Sequence, residues 1–427
     1  MTDIIDELAW RGLLSQSTDL DDLRKAFDAG PVTFYAGFDP TAPGLHIGNL
    51  ALLLTLRRLQ DAGHRPIGVV GGATGLIGDP SGRSSERVLN DEHVVAGWVD
   101  RIRAEVSRFL DLTSERNGAL IVSNLDWTAP LSAIEFLREV GKHFSVNQMI
   151  AREAVKARLE SGGISYTEFS YQVLQALDFL ELYRRHGCTL QIGGSDQWGN
   201  LVAGADLIRR VESGTAHALT IPLITKRDGT KFGKTESGTV WLDAEMTSPY
   251  AFYQFWFNVE DAEAGKLLRV FTFRSHDEIE SLERQAAERP AARAAQRVLA
   301  EDVTKLVHGP AETERVIAAS RALFGQGDLA ALDERVLGAA LAEVPAMTIP
   351  AGEQLPTVAD LLAGTGVVAS KSAARRAIAE GGAYLNNRKV TSEDERPGRD
   401  DLLHGRFLVL RRGKRTVGGA EVSPSAE

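Results

Sequence analysis

Four short apolar runs, each closing on or leading directly into a small or polar residue, constrain this chain more than any other feature. VTFYAGF (32–38), PIGVVGG (66–72), ALIVSN (119–124) and CTLQIGG (188–194) have strand length and are bounded by turn-forming residues. Helix-period segments lie between them, the clearest running from Ile47 to Gly63, where glycine supplies a C-cap. Strands alternating with helices specify an α/β chain built on a doubly wound parallel sheet, Rossmann-like in form. The runs end in or lead into Gly, Asp, Asn or Ser, so polar side chains gather at the carboxyl ends of the strands. Open α/β sheets bind their ligands there.

At 427 residues the chain is too long for one core and implies about two to four domains. The strand signal persists through 1–247 and then fades. Residues 248–341 read as a helical domain, and 342–356, with few charges and several prolines, as a linker. Residues 357–427 read as a small α+β domain with two amphipathic helices, a GG turn and strands. Net charge is −10, but Thr357 to Glu427 carries 12 Lys and Arg against 9 Asp and Glu. That local +3 leaves −13 on the first 356 residues and suggests separate tasks for the two parts. No run approaches the roughly 20 apolar residues of a membrane span, and the acidic N-terminus lacks the basic n-region of a signal peptide. The single Cys188 excludes an intrachain disulfide, and no Cys/His cluster has zinc spacing. A cytoplasmic fold with no resident metal is expected, Mg²⁺ entering only with a nucleotide.

Three stretches carry the chemistry. GLHIGNL (44–50) is a turn opening a helix, where backbone N–H groups and the positive dipole end suit an anion. Gly48 there allows close approach of a ligand, and His46 and Asn49 can donate to phosphate oxygens. KFGKTESG (231–238) puts Lys231 and Lys234 beside glycines and Thr235 in a cationic loop that is not a Walker A sequence. QIGGSDQWGN (191–200) brings Gln191, Asp196 and Gln197 to a strand end. Each alone has a plainer meaning: a helix-opening turn, a solvated hairpin tip, and a helix N-cap at Asp196. A fourth segment, YQVLQALDFL, spaces Tyr171, Gln175 and Asp178 by four and three, on one helical face. Gln and Asp on an otherwise apolar stripe need partners.

Together and in this order, HIGN and KFGKT resemble the HIGH and KMSKS signatures of class I aminoacyl-tRNA synthetases. FYAGFDPTAPGLHIGN, GGATGLIGDPSG, YQVLQALDFL, LQIGGSDQWGN and KFGKTESG are similar to the bacterial tyrosyl-tRNA synthetase family nearly stretch for stretch, from about residue 4 to about 415. The resemblance implies a tyrosine–tRNA ligase that joins tyrosine to ATP as tyrosyl-adenylate, releases pyrophosphate and passes the tyrosyl group to the 3′ end of tRNA(Tyr). It makes 1–247 the catalytic domain, 248–341 the anticodon-side domain, and 357–427 an S-four-like RNA-binding domain. By that similarity Thr41, His46, Asn49, Lys231, Lys234, Thr235, Arg83 and Arg87 serve the ATP phosphates; Arg83 stands where the family commonly has lysine. Gly37, Asp39, Gly48, Gly194 and Asp196 belong with the nucleotide. Tyr35 and Asp178 would hold the phenolic hydroxyl, and Asp79, Tyr171 and Gln175 the ammonium group. Thr74, Asn124, Gln191 and Gln197 would complete that pocket.

For the C-terminal domain the resemblance implies phosphate contacts from Lys371, Arg375, Arg376, Arg388 and Lys389, and it implies a homodimer. ATP acts as a substrate, so no tightly bound cofactor is expected. The sibling tryptophanyl family is the nearest alternative, and Tyr35 with Asp178 favours a phenol. Other HxGH nucleotidyltransferases and an inactive RNA-binding scaffold fit less well, because the KFGKT loop, the basic tail and the acids at 79 and 178 are all present.

Overall fold

The computed structural model describes residues 3–81, 91–227, 229–230, 232–235, 238–352 and 354–423. The chain forms two compact units, one of Met1–Asp243 with Gly265–Ser281, the other of Ala244–Ala264 with Leu282–Glu427.

Unit one is built on a six-stranded sheet. Its strands are β1 (Gln16–Ser17), β2 (Thr33–Phe38), β3 (Arg65–Val70), β4 (Leu120–Ser123), β5 (Cys188–Gly194) and β6 (His217–Ile221), in spatial order β1-β6-β5-β2-β3-β4. β2 pairs in parallel with β3 on one side and with β5 on the other, while β1 is an antiparallel edge on β6. From β2 the chain winds outward through β3 and β4, then returns to lay β5 and β6 on the opposite side. The order therefore reverses between β2 and β5, which is where a ligand crevice forms in such sheets. In β2, Phe34, Ala36 and Phe38 are buried on one face; on the other, Tyr35 is buried and Gly37 is exposed at the strand's open end. A short hairpin, β7 (Lys234–Thr235) and β8 (Gly238–Thr239), follows the sheet.

Helix boundaries follow local signals. The Ile47–Asp61 helix begins at His46 and is followed by Gly63 at φ +104°. Ser165 caps the Tyr166–His186 helix by accepting from Glu168 N–H at 3.2 Å, and Gly187 ends it in the left-handed region. The sequence alone places the first boundary at 247, yet Gly265–Ser281 folds with unit one. Two buried arginines account for this. Arg11 donates to the carbonyls of Arg269, Thr272 and Arg274 at 2.8–3.0 Å, and Arg58 to those of Val270 and Thr272 at 2.6–2.9 Å. These groups satisfy carbonyls at a helix end that would otherwise lack partners.

Unit two contains the helices Pro249–Phe257, Ala294–His308, Pro310–Leu323 and Glu334–Ala342. It also holds a five-stranded sheet of β9 (Ala346–Ile349), β10 (Ala383–Leu385), β11 (Arg388–Lys389), β12 (Phe407–Arg412) and β13 (Thr416–Val422), ordered β11-β10-β12-β13-β9. The helices Val358–Gly364 and Lys371–Ala379 close its core through Val358, Leu361, Ala374 and Ile378. β9 lies inside the stretch read as a linker. Pro345 and Pro350 flank it without entering it, and it pairs only with β13, so an edge position tolerates them. Among the described residues, no helix is long and apolar enough to cross a membrane.

Candidate active site

A cleft of about 740 Å³ opens at the carboxyl ends of β2 and β5. It gathers Tyr35, Gly37, Asp39, Thr41, His46, Gly48 and Asn49 with Thr74, Asp79, Asn124, Tyr171, Gln175 and Asp178. Gln191, Gly194, Asp196 and Gln197 complete the set drawn from the sequence. Strand register explains part of this: Tyr35 lies opposite Gln191 on one side and Ile67 on the other. Arg83, Arg87 and Lys231 lie outside the described residues, and for Lys234 and Thr235 only the backbone is described.

The HIGN turn is a reciprocal capping box. His46 Nδ1 accepts from Gly48 N–H at 3.0 Å, and Asn49 Oδ1 accepts from His46 N–H at 3.1 Å. In the neutral ring this places the proton on Nε2, making that atom a donor. A Cβ on residue 48 would sit 2.7 Å from His46 Cε1, so glycine is required to seat the imidazole, in addition to any approach by a ligand. Asn49, expected from sequence to act as a donor, also uses its oxygen to hold the turn. We expect Asn49→His to keep adenylate formation within about tenfold, about 1.4 kcal/mol, because an unprotonated ring nitrogen can replace that oxygen. Steady-state kinetics with varied ATP will check this.

The opposite end of the cleft is a polar chain. Asp178 Oδ2 accepts from Asn124 Nδ2 at 3.0 Å and Oδ1 from the Trp127 indole N–H at 2.8 Å. Asn124 also accepts from Ala73 N–H at 2.7 Å and donates to Thr74 Oγ1 at 3.0 Å. Thr74 in turn donates to Asp39 Oδ1, and Tyr171 OH to Asp39 Oδ2, both at 2.6 Å. Farther along, Gln197 Nε2 donates to Asp79 Oδ2 at 2.6 Å, and Asp79 Oδ1 accepts from Ser81 N–H at 2.9 Å. The oxygens of Tyr35, Gln175 and Gln191 are buried with no partner among the described residues. Buried polar atoms are rarely left so, and here they line one cleft, as recognition of a polar ligand requires.

Burial pushes the Asp178 carboxyl up to about 7, opposed by the Asn124 and Trp127 N–H donors, which favour the carboxylate. Burial also holds the Tyr35 phenol well above its ordinary range, with the nearby Asp178 charge adding to it. Tyr35 therefore stays protonated while Asp178 titrates near neutrality. Trp127 was not singled out from sequence; its place in NLDWT, just past a strand end, is the only signal it offers. We expect Trp127→Phe to raise the tyrosine KM about tenfold or more, since it removes a charge-assisted hydrogen bond worth roughly 1.5–3 kcal/mol. The pH of half-maximal tyrosine binding should move upward in that variant, because one donor favouring the carboxylate is gone. A KM–pH profile will read both.

The β7–β8 hairpin joins the HIGN turn through the backbone. Val240 N–H donates to the Gly233 carbonyl at 2.9 Å and Ile47 N–H to the Val240 carbonyl at 3.2 Å. Gly233, at φ +89°, lies where a Cβ would come 3.2 Å from Ile47 Cβ.

In unit two, Lys371, Arg375 and Arg388 are exposed, but each faces an acid: Asp360 at 2.6 Å, Glu393 at 3.6 Å, and Glu395 at 2.7 Å. Arg388 also faces Asp401 at 3.6 Å. The basic face read from sequence is thus partly neutralised by residues distant in sequence from those positions.

The geometry can be set beside known proteins. Residues 28–325 match the family model for tRNA synthetases class I (W and Y), and residues 337–417 that for the tyrosine–tRNA ligase SYY-like C-terminal domain. The chain is 65% identical to a tyrosine–tRNA ligase of Streptomyces avermitilis, across 99% of this chain and 100% of that one. It is 57% identical to one from Mycobacterium bovis across 98% of both. Among solved structures, a C-terminally truncated mitochondrial tyrosyl-tRNA synthetase of Aspergillus nidulans superposes with a TM-score of 0.69 at 28% identity, covering 76% of this chain and 94% of that one. A tryptophanyl-tRNA synthetase from Encephalitozoon cuniculi shares the fold at 14% identity and a TM-score of 0.53, over 73% of this chain and 87% of that one. Matched through most of its length by both family models and by relatives this similar, the chain belongs to the tyrosine–tRNA ligase family of class I tRNA synthetases.

Proposed function

We propose that the cleft performs both half-reactions of a tyrosine–tRNA ligase, with tyrosine's phenol toward Tyr35 and Asp178 and the ATP phosphates toward the HIGN turn. The observation that carries this reading is the pairing of a buried, doubly held Asp178 with buried, unpartnered Tyr35, Gln175 and Gln191 oxygens in the same cleft as a helix N-terminus. An ionised Asp178 accepts from the phenol, and Asp79 with Tyr171 and Gln175 faces the ammonium group. The tyrosine carboxylate is already ionised, so attack on the α-phosphate needs no general base. A carboxylate O–P bond forms, and the bond to pyrophosphate breaks. His46 Nε2–H, the Asn49 amide and the helix amides meet the charge growing on the leaving group. In the second step a 3′-terminal ribose hydroxyl of tRNA attacks the tyrosyl carbonyl, an ester C–O bond forms, the carbonyl–phosphate bond breaks, and AMP departs with the hydroxyl proton.

ATP enters as its Mg²⁺ complex in this reading. Lys231, Lys234, Thr235, Arg83 and Arg87 complete the phosphate side, and Gly194 with Asp196 the adenosine side. For tRNA, Lys371, Arg375, Arg376, Arg388 and Lys389 supply phosphate contacts. A homodimer is supported by the exposed Ile134, Leu137, Val146, Ile150, Leu159 and Tyr166 concentrated in one stretch of unit one. We place the enzyme in the cytoplasm.

Deleting the chain from Val344 onward, ahead of β9, tests the division of labour. A cut at 350 would strand β9 without β13, so the earlier boundary is the cleaner one. We expect the truncated enzyme to keep tyrosine-dependent ATP–pyrophosphate exchange within about threefold and to lose at least about a hundredfold in tRNA charging at physiological salt. Equal loss of both half-reactions would contradict the reading.

A further inference from the structure

A buried acid beneath the HIGN turn remains unexplained by packing. Glu105, on the Glu92–Ser107 helix, is only 7% exposed. Its carboxylate accepts one hydrogen bond from the described residues, from the backbone N–H of Leu45 to Oε2 at 2.6 Å. Burial pushes its pKa up, the Leu45 N–H pulls it down, and Asp243 adds to the rise while Arg108 and Arg101 oppose it. Burying a carboxyl group for a single amide is poor economy for stability, since an apolar side chain would fill the same space without desolvation.

Leu45 is the residue directly before His46. Its N–H is taken by Glu105, and its carbonyl accepts from Leu242 N–H at 2.9 Å. His46 forms an antiparallel bridge with Trp241, and Ile47 N–H donates to the Val240 carbonyl. Segment 240–242 therefore holds the turn from one side and Glu105 from the other. With Leu45 fixed at both backbone groups, His46 is set at φ −121° and ψ 175°, the extended geometry from which its imidazole folds over Gly48.

We propose that Glu105 is a positioning residue for the ATP site. By clamping the Leu45 amide it fixes where the His46 imidazole and the following helix N-terminus meet the nucleotide phosphates. This rests on the reading of His46 as a phosphate donor. Glu105 acts through that turn and touches no substrate itself.

Tyrosine-dependent ATP–pyrophosphate exchange on the full chain tests it, using Glu105→Ala, Glu105→Gln, His46→Ala and the double variant His46→Ala/Glu105→Ala. If Glu105→Ala is insoluble, Glu105→Met keeps the volume without the acceptor. Loss of the acceptor should lower kcat about tenfold or more while the tyrosine KM stays within about twofold. Glu105→Gln, whose amide oxygen still accepts from Leu45, should recover to within about threefold of wild type. The double variant should be no more than about twofold slower than His46→Ala alone, as two residues acting through one group are not additive. Equal slowing by Gln and Ala, or multiplied losses in the double variant, would overturn the proposal. Should His46→Ala itself retain full exchange, the phosphate role of the turn fails; should it lose exchange while the acceptor-less variant at 105 does not, only the role of Glu105 fails.

Discussion

Replacing Asp178 with alanine should lower kcat/KM for tyrosine activation at least about a thousandfold, about 4 kcal/mol, while the protein still folds. The loss has two parts. The phenolic hydroxyl of tyrosine forfeits a charged acceptor, and the Trp127 indole and Asn124 amide lose the oxygens they hold at 2.8 and 3.0 Å. The fold survives because the removed carboxyl is itself unfavourably buried, as its shift to about 7 records. Asp178→Asn keeps the volume and should lose nearly as much, since the amide offers only one acceptor to three donors. The same titration gives a pH dependence. In the proposed arrangement ionised Asp178 accepts the phenol, so the tyrosine KM of the wild type should fall as pH rises from about 6 to about 8. An unchanged tyrosine affinity in Asp178→Ala, measured by equilibrium dialysis beside a melting curve, would remove Asp178 from the pocket.

His46→Ala should slow adenylate formation about a hundredfold to a thousandfold, roughly 2.7–4 kcal/mol, with tyrosine binding little changed. The asymmetry follows from position. His46 caps the Ile47–Asp61 helix at the end of the cleft proposed for the phosphates, whereas Asp178, the proposed phenol acceptor, lies at the far end of the polar chain. The Nδ1–Gly48 hydrogen bond fixes Nε2 as the donor. Its contribution should appear only as charge develops on the leaving pyrophosphate, and so in kcat. Pre-steady-state adenylate formation will separate the rate from tyrosine affinity; a variant whose defect lies wholly in the tyrosine KM would place His46 elsewhere.

The sheet was readable because β2, β3 and β5 are nearly continuous apolar runs, as strands buried on both faces must be, and the half-buried edge strand β4 is equally apolar. Gly63 and the Tyr171–Gln175–Asp178 spacing were readable for the same reason: both are local patterns. β1, two residues long, and β9, between prolines, carry no such pattern and exist only because a neighbouring strand offers an edge. The first boundary was hidden too, because Arg11 and Arg58 reach more than two hundred residues along the chain to bind their carbonyls. Within the site, most polar residues that line the cleft lie in motifs legible from sequence, while Ser81 and Thr239 line it without a signal of their own. Trp127 and Glu105 lie in none of those motifs. Each acts on another residue and not on a ligand, and no spacing rule links position 105 to 45 or 127 to 178. The acids facing Lys371, Arg375 and Arg388 were invisible for a similar reason, as only the folded sheet and helices bring them together.

The coupling of a phenol-reading pocket to a phosphate-binding helix turn can be probed by ATP–pyrophosphate exchange on the intact chain with each of the standard amino acids in turn. Exchange with tyrosine, and none above background with phenylalanine or tryptophan, is the predicted result. Exchange driven by tryptophan, or by no amino acid at all, would contradict it.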